Sequence, residues 1–327
     1  MHQRRDLLKA MVLAGLPAGM ARPAMADDAW PAHALTMIVP FPPGGVGDIT
    51  ARPVAEAMGR ALKQAIIVES RAGAGGAVGT GFVARARPDG YTLLLTLSSY
   101  VVLPEADKVL ERAPLYALNQ FKAIARFTAD PTVLTVNASS PWKTYQDFIE
   151  AVRAAPNKYT FGSSGNYGTM QVPMEQLKIA TGTKMLHVPY NGAGPAVVSL
   201  LGGQVDAIST GPSTIAQQVA AGKLRPLAHW GTGRIASLPD VPSLTELGVP
   251  IQYSQWTGLF VPSATPPDVV AKLSQAAKFA AEDPRVAEAL NGAGSVLRFM
   301  DMQQFEPFIA SEATSMAAVV KAIGKVE

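Results

Sequence analysis

The amino-acid sequence predicts an α/β protein that consists of two similar units. Short runs of β-branched residues alternate with Ala-rich stretches of helical period, which is the pattern of a mostly parallel sheet with crossover helices. The alternation restarts after residue 136, and the helices predicted at the end of the chain have no strands of their own, so they must cover a sheet already built. We therefore expect residues 27–130 and 256–327 to form domain 1 and residues 131–255 to form domain 2, with two segments crossing between them.

In the first unit, strands are predicted at residues 35–40, 66–69 and 91–97, separated by helices at 49–62 and 77–86. The second unit runs strand 132–136, helix 144–154, strand 159–161, helix 171–181, strand 184–188, helix 195–201, strand 207–209, helix 215–221 and strand 225–230. A strand at 256–261 precedes helices at 267–281, 284–291 and 302–323. Pro267 and Pro284 stand in the first turn of two of these helices, where a missing N–H costs nothing.

The first 26 residues predict a signal peptide. Arg4 and Arg5 form a twin-arginine pair ahead of an apolar run at 10–16, which is too short to span a membrane. Ala24-Met25-Ala26 matches a small-x-small cleavage site, so the mature chain is expected to begin at residue 27. The sequence thus predicts export to the periplasm, by the twin-arginine route in preference to the general one.

Composition excludes several classes of function. Of the 28 basic and 25 acidic residues, four and one lie within residues 1–26, so the mature chain keeps 24 of each and its net charge is near zero. Such a chain has no electrostatic basis for binding nucleic acid or an anionic membrane. The sequence has no cysteine and no metal-ligand spacing, so we expect no disulfide, no metal and no cofactor.

A bend rich in proline and glycine joins the first strand to the first helix, within the stretch IVPFPPGGVGDITARPVAEAM at residues 38–58. Successive backbone N–H groups in such a bend, beside the positive end of a helix, form an anion site without a cationic side chain. An ordinary strand-to-helix turn is the alternative. Asp48 would repel an anion here, so its carboxylate either caps the helix by accepting N–H bonds or contacts a neutral or cationic part of a ligand.

Two further glycine-rich loops come close to cofactor or catalytic motifs but miss them. Gly75, Gly79 and Gly81 have the dinucleotide spacing of short-chain dehydrogenases, yet residues 70–72 separate them from their strand and no Tyr has a Lys four positions on. The loop at 162–168 fails the nucleophile elbow G-x-S-x-G by one position, because Asn166 replaces the last glycine. An exported serine hydrolase that uses a serine of this loop is the weaker alternative, and hydroxyl and N–H donors for binding are the preferred interpretation.

Seven motifs are spread along the mature chain. They are IVPFPPGG from Ile38, VESRAGAGG from Val68, RPDGYTLLL from Arg87, HVPYNGAGP from His187, LGGQVD from Leu201, LPDVPS from Leu238 and GLFVP from Gly258. Together they resemble one family, the Bug solute receptors, which are the TctC-type binding proteins of tripartite tricarboxylate transporters. The resemblance covers essentially all of the mature chain, and the motifs are specific as a set although each alone is weak.

The resemblance implies a type II periplasmic binding protein fold, in which two α/β domains enclose a ligand cleft, and it implies no catalysis. The implied ligand is a carboxylate, often a di- or tricarboxylate or an aromatic acid, held largely through backbone amides and waters. Domain 1 would contribute two loops and a strand end, and domain 2 a Ser-x-Gly loop and a Pro-Tyr-x-Gly loop. The implied ligand-binding residues are Phe41, Pro43, Gly44, Gly45, Asp48, Gly75, Gly76, Ser98, Ser99, Ser163, Ser164, Asn166, Tyr190, Gly192 and Thr210.

Two departures from the family pattern fall on the domain 2 side. Residues 170–173 replace the region in which the family usually has a His, and the strand end Ser209-Thr210-Gly211-Pro212 lacks the usual Asp or Asn. Fewer charged groups there would suit an aromatic carboxylate better than an amino acid.

The resemblance also implies a mechanism and partners. The carboxylate meets the loops of domain 1, and domain 2 closes over it about the segments at 132–136 and 256–261. The closed form would be recognised by the permease subunits of a tripartite tricarboxylate transporter, with a sensor kinase as the alternative partner. The receptor is expected to be a monomer and to bind no nucleic acid.

Overall fold

The computed structural model of the protein describes residues 30–326, so the predicted signal peptide lies outside the described residues. The strands are β1 Leu35–Val39, β2 Ile66–Ser70, β3 Thr92–Leu97, β4 Phe121–Pro131, β5 Val133–Asn137, β6 Thr160–Ser163, β7 Leu186–Pro189, β8 Ala207–Thr210, β9 Leu224–His229, β10 Ser254–Pro262 and β11 Leu297–Met300. The helices are α1 Val46–Leu62, α2 Ala77–Ala84, α3 Ser99–Val109, α4 Tyr145–Ala154, α5 Gln171–Thr181, α6 Ala193–Leu201, α7 Pro212–Ala220, α8 Pro267–Glu282, α9 Pro284–Gly292 and α10 Met302–Ile323. Within residues 30–326, no helix combines the length and the apolar composition that a membrane span needs.

The first sheet has six strands in the order β11-β4-β10-β3-β1-β2. β1 pairs in parallel with β2 and β3, whereas β10 runs antiparallel to both β3 and β4. One buried apolar cluster joins β1 and β3 to α1, α8 and α9 through residues such as Leu93, Met58 and Leu273. Burial of this apolar surface is what holds the C-terminal helices on a sheet that takes three of its six strands from the N-terminal third of the chain.

The second sheet has five strands in the order β7-β6-β8-β5-β9. β6 pairs in parallel with β7 and β8, and β5 pairs antiparallel with β8 and β9. Helices α4 to α7 belong to the same stretch of chain. We call residues 30–131 with 254–326 lobe 1, and residues 132–253 lobe 2, because each range holds the strands of one sheet.

Two crossings of the chain and a contact at its C-terminal end are among the connections between the two lobes. β4 ends at Pro131 in the first sheet and β5 begins at Val133 in the second, and the chain returns to the first sheet at Ser254. A third connection lies beyond the end of α10, where the Tyr167 hydroxyl of lobe 2 donates to the Gly324 carbonyl at 2.6 Å and accepts the N–H of Val326 at 3.2 Å. The C-terminal helix is therefore fixed to a loop of lobe 2 as well as to the first sheet.

Two sequence expectations about this fold are wrong. The sheets are mixed and not mostly parallel, because β10 and β11 add antiparallel pairs to the first sheet. The C-terminal helices do have a strand of their own, since β11 pairs with β4 at the sheet edge. That strand has only four partly exposed residues, so its hydrophobic alternation is weak.

The sequence also failed to predict α3 and β4. Val101, Val102 and Pro104 argue against a helix by intrinsic propensity, yet α3 forms because its apolar side chains are buried against the first sheet. In addition α1 begins at Val46, three residues earlier than expected, so Gly47 and Asp48 belong to its first turn.

Candidate functional site

The candidate site lies where strand ends of the two lobes face each other. In open α/β sheets, ligands bind in the crevice beyond the carboxyl ends of parallel strands. Here the loops after β1, β6, β7 and β8, with the turn before α2, meet across this crevice. A Cβ built on Gly192 would overlap Pro42. A Cβ built on Gly165 would lie 3.2 Å from the Gly75 nitrogen, and one built on Gly211 would lie 2.8 Å from Val46 Cγ2. The backbones of the lobes therefore approach each other at positions where a larger residue would not fit.

The loop between β1 and α1 contains the predicted residues 41–48. Gly44 has a φ of +81°, a conformation that glycine adopts readily, and Gly45 is the N-cap of α1 without a side-chain cap. Asp48 is buried and accepts the Gly44 N–H at 3.1 Å, and Arg52 pairs with its other oxygen at 2.8 Å. Asp48 thus ties the first helical turn to the loop by accepting an N–H, and the partly exposed Arg52 offsets part of its charge.

The second lobe 1 loop supports the first one. Gly75 and Gly76 have φ values of +64° and +109°, and the Cβ position at Gly76 lies 2.9 Å from Phe41 Cζ, so that ring packs directly on this backbone. The Ser99 hydroxyl donates to the Gly75 carbonyl at 3.0 Å. Pro43 is exposed at the tip of the first loop. Phe41 and Ser99 therefore hold the two loops of lobe 1 in a fixed arrangement.

In lobe 2, the last residue of β6 makes a Ser–His contact with β7 that sequence reasoning missed. Ser163 Oγ lies 2.6 Å from His187 Nε2, and Gln171 Nε2 lies 3.2 Å from His187 Nδ1. The Tyr167 N–H donates to Gln171 Oε1, which turns the amide nitrogen toward the imidazole. Nδ1 is then an acceptor and Nε2 carries the proton, so His187 donates to Ser163 and cannot remove its proton.

This contact supports a loop and does not create a nucleophile. Burial, with a smaller effect of Lys178, lowers the pKa of His187 to about 4, so the imidazole is neutral at neutral pH. Ser163 Oγ also lies 3.2 Å from both the carbonyl oxygen and the nitrogen of Gly165. The hydroxyl is therefore used inside lobe 2, where it fixes the loop that presents Ser164 and Asn166. Gln171 lies in the segment 170–173, where the sequence departs from the family pattern. That departure was the one sequence signal that pointed to the contact between Gln171 and His187.

The remaining predicted residues of lobe 2 differ in what their polar groups contact. Ser164 is buried, and its hydroxyl has no hydrogen-bond partner in the described part of the chain. Asn166 is exposed, and its carbonyl oxygen lies 3.2 Å from the Cβ position of Gly75 across the cleft. The Tyr190 hydroxyl contacts Ser199 within lobe 2. Of these side chains, the buried Ser164 hydroxyl and the exposed Asn166 amide are thus the groups that no bond within the described residues uses.

The end of β8 is rich in hydroxyl groups. Buried hydroxyl oxygens without a partner among residues 30–326 occur here at Ser209, Thr210, Ser213 and Thr214. Gln255 of β10 donates to Thr169 Oγ1 at 2.7 Å. Sequence reasoning included Thr210 but missed Gln255, because β10 follows β8 by more than forty residues along the chain.

The loops of the site have no charged side chains, which favours an uncharged or anionic ligand group that is held by hydrogen bonds. The segments 41–47, 73–76, 98–99, 163–168, 190–194 and 209–214 contain no Lys, Arg, Asp or Glu. Backbone N–H groups and hydroxyls are then the donors that an anion would meet. Within residues 30–326, no cluster of three or more His, Cys, Asp or Glu side chains could hold a metal ion.

A separate cavity of about 560 Å³ lies at the crossing segments and is lined by residues that include Asp130, Gly231, Tyr253 and Glu312. Burial raises the pKa of Asp130 to about 6, against the effect of hydrogen bonds from Ser295 and Val296. The Tyr253 hydroxyl lies 3.2 Å from Ser98 Oγ, so the predicted residue Ser98 connects the wall of lobe 1 to a crossing segment. This cavity shares no lining residue with the facing loops, so we place the ligand site at the loops.

Comparison with known proteins gives consistent matches over the chain. Residues 50–325 match the model of a family described as tripartite tricarboxylate transporter family receptor. The protein BugT of Bordetella pertussis is 33% identical over 308 residues, which cover 94% of each chain. The structure of the periplasmic binding protein BugD is similar with a TM-score of 0.85 at 29% identity, over 90% of this chain and 98% of that one. MatC from Rhodopseudomonas palustris, with bound malate, has a TM-score of 0.83 at 28% identity, over 89% of this chain and 100% of MatC.

These matches confirm two predictions made from the motifs. The Bug and TctC resemblance is confirmed by the family model and by BugT and BugD. The two-domain α/β fold of periplasmic binding proteins is confirmed by the similarity to BugD over nearly the whole of both chains. The chain therefore belongs to the family of tripartite tricarboxylate transporter receptors, which are solute-binding proteins.

Proposed function

We propose that this protein is a periplasmic receptor that binds a small carboxylate, an aromatic or a dicarboxylic acid, between its lobes and delivers it to a tripartite tricarboxylate-type permease. The observation that carries the proposal is the close approach of donor-rich loops from both lobes, at Gly192, Gly165 and Gly211. The bound malate of MatC, a protein similar over its whole length, supports a carboxylate ligand. In this proposal the protein works as a monomer without cofactor and carries out no reaction.

The carboxylate binds first to the loops of lobe 1. The Gly44 N–H is already donated to Asp48 and the Gly76 N–H to the Gly73 carbonyl, so the donors are the N–H groups of the first turn of the 17-residue helix α1, from Gly45 onward, and the N–H of Gly75. A hydrogen bond to a charged group contributes about 1.5–3 kcal/mol, so a few such bonds bind an anion without a cationic side chain. The ion pair with Arg52, whose side chain is largely exposed, offsets part of the negative charge of Asp48 that would otherwise oppose this binding.

Lobe 2 completes the site through hydroxyl groups and backbone. Ser164 and Thr210 offer buried hydroxyls without a partner in the described chain, and Asn166 and Gly192 face the loops of lobe 1. Leaving a buried hydroxyl unpaired costs about 1–3 kcal/mol, so a ligand that bonds to it removes this cost. Ser98, Ser99, Ser163 and Tyr190 act by holding these loops in place.

The lobes close over the ligand by bending at the crossing segments. Thr132 and Tyr253 stand between the two sheets, where a small change in backbone angles rotates one lobe against the other. The contact of Tyr167 with Gly324 couples the loop at 163–168 to α10, so ligand binding changes a surface of both lobes. The permease subunits would recognise that closed surface.

A ligand panel tests the proposal. Thermal shift and calorimetry would compare aromatic acids, dicarboxylic acids and acidic amino acids, each with its methyl ester as the control that lacks the charged group. A ligand present at about 100 times its Kd stabilises the folded state by about 2.7 kcal/mol, which is readily detected as a higher Tm. We expect the aromatic or dicarboxylic acids to raise Tm and their esters to have no effect. Equal binding of acid and ester, or stabilisation by acidic amino acids alone, would contradict the proposal.

A further inference from the structure

We infer that Gln255, Thr210 and Ser213 form an uncharged hydrogen-bonding subsite for the far end of the ligand. Among acids with a single carboxylate, aromatic acids included, the protein would then prefer those whose other end carries a neutral hydrogen-bonding group, such as a hydroxyl or a carboxamide. This inference rests on the proposed carboxylate-binding function of the cleft, and it names the ligand class of that same site.

Gln255 connects the two lobes at the back of the cleft. It is the second residue of β10, the strand by which the chain returns to lobe 1, and its side chain is almost completely buried. Its Nε2 donates to Thr169 Oγ1 of lobe 2 at 2.7 Å. Because this bond uses the amide nitrogen, the amide oxygen Oε1 remains for another partner.

The unpaired side of the Gln255 amide lies where the end of β8 meets the start of α1. Its oxygen is 3.0 Å from the Cβ position of Gly211, and Val46 Cγ2 is 2.8 Å from the same point. In the described part of the protein this oxygen has no hydrogen-bond partner. An unpaired buried amide oxygen is costly, so a polar group is expected to occupy the space beside it.

Two hydroxyls stand next to the same glycine. Thr210 immediately precedes Gly211 and is fully buried, and Ser213 Oγ lies 4.0 Å from the Gly211 Cβ position. Neither hydroxyl has a partner within residues 30–326. Three unpaired hydrogen-bonding groups therefore lie at or beside Gly211, and a ligand group of matching chemistry that reaches them as the lobes open and close would give them a partner.

The absence of charge decides which ligand group fits. The segment 209–214, Thr169 and Gln255 are all uncharged, and Asp48, two residues beyond Val46, is paired with Arg52. An ammonium group would lose its hydration here without gaining a carboxylate, and burying an unpaired charge is strongly unfavourable. A hydroxyl or carboxamide can instead bond to the amide and to either hydroxyl.

The test compares ligands that differ only at their far end. A thermal-shift screen of straight-chain acids from butanoate to octanoate, with benzoate, first selects the scaffold that stabilises the protein most. Calorimetry then measures the Kd of three versions of that scaffold, with a hydrogen, a hydroxyl or an ammonium at the far end. We expect the hydroxy acid to bind about two- to tenfold more tightly than the parent acid, the effect of one neutral hydrogen bond, and the ammonium version to bind most weakly.

Variants assign this preference to the subsite. Gln255→Met keeps the side-chain volume and removes the amide. Ser213→Ala removes one hydroxyl and serves as a second variant in case Gln255→Met, which is buried, prevents folding. Gln275→Met on the exposed face of α8 is the matched control. We expect Gln255→Met to abolish the preference for the hydroxy acid while the parent acid keeps its Kd, and Gln275→Met to change neither.

The outcomes separate this inference from the proposed function. If carboxylates bind but the far-end group makes no difference, or if Gln255→Met and Ser213→Ala keep the preference, the subsite is wrong and the receptor stands. If no carboxylate stabilises the protein, either in this screen or in the panel of aromatic and dicarboxylic acids that tests the proposed function, the proposed function fails and the subsite fails with it.

Discussion

The substitution Gly211→Ala is expected to weaken ligand binding by obstructing the approach of the two lobes. Gly211 has φ −63° and ψ 148°, which alanine adopts without strain, so the variant should fold normally. The added methyl group would lie 2.8 Å from Val46 Cγ2 and 3.0 Å from Gln255 Oε1. Both of these atoms belong to lobe 1 and Gly211 belongs to lobe 2, so the obstruction exists only when the lobes are together.

The size of the effect follows from the geometry. Ordinary contacts of a Cβ begin near 3.4 Å, so the lobes must separate by several tenths of an ångström or the Val46 side chain must move. Overpacking of this kind costs about 1–3 kcal/mol. When that cost falls on the closed state alone, the apparent Kd rises by roughly 5- to 150-fold.

Calorimetry with the acid selected by the ligand panel measures this change, and thermal unfolding of the free protein measures any effect on the fold. Gly292→Ala at the end of α9 is the matched control, because no atom lies within 4 Å of its Cβ position. We expect the control to keep its affinity. An unchanged Kd for Gly211→Ala in a correctly folded protein would show that the contact between Val46 and Gly211 is not part of the bound state, and the closure mechanism would have to be abandoned.

Three further predictions concern the site and its ionisable groups. Gly44→Val should lower affinity by calorimetry without unfolding the protein, because a φ of +81° costs an L-residue about 1–2 kcal/mol; an unchanged Kd would remove this loop from the site. The pKa of His187 is about 4 in the folded protein against 6.5 ordinarily, so this residue should make the folded state less stable as pH drops from about 6.5 to 4. The pKa of Asp130 is about 6 against 3.8 ordinarily, so Asp130 should make the folded state less stable as pH rises from about 4 to 6. Tm measured against pH should therefore lose the first trend in His187→Gln and the second in Asp130→Asn, and unaltered profiles would contradict these assignments. A fluorophosphonate probe should not label Ser163, because His187 donates to its hydroxyl; labelling seen by mass spectrometry would revive the hydrolase alternative.

Much of the fold could be predicted because local sequence and packing agree. Strand-to-helix transitions at residues 35–62 and 66–84 are marked by proline or glycine, and the observed β1, α1, β2 and α2 lie close to the predicted bounds. β11 could not be predicted, because four partly exposed residues acquire their strand conformation only by pairing with β4. The helix α3 was missed because burial against the sheet overrides the poor helix propensity of its valines and of Pro104.

The loops of the candidate site could be predicted, but the directions of their side chains could not. Glycine clusters and the resemblance indicate which loops face the cleft. The partners of the serines come from distant parts of the chain: Ser163 contacts His187 and Ser98 contacts Tyr253. Gln255 reaches the cleft on a strand that carries no motif of its own at that position, so it was found only from the three-dimensional structure.

Hydrogen–deuterium exchange with and without the selected acid tests the central claim most directly, namely that a carboxylate is held between loops of both lobes. We predict that the acid slows exchange together in residues 41–48 and 73–76 of lobe 1 and in residues 163–168 and 190–194 of lobe 2, and that its methyl ester does not. Protection confined to one lobe, or protection only at the crossing segments around Asp130 and Tyr253, would contradict a carboxylate site in the cleft.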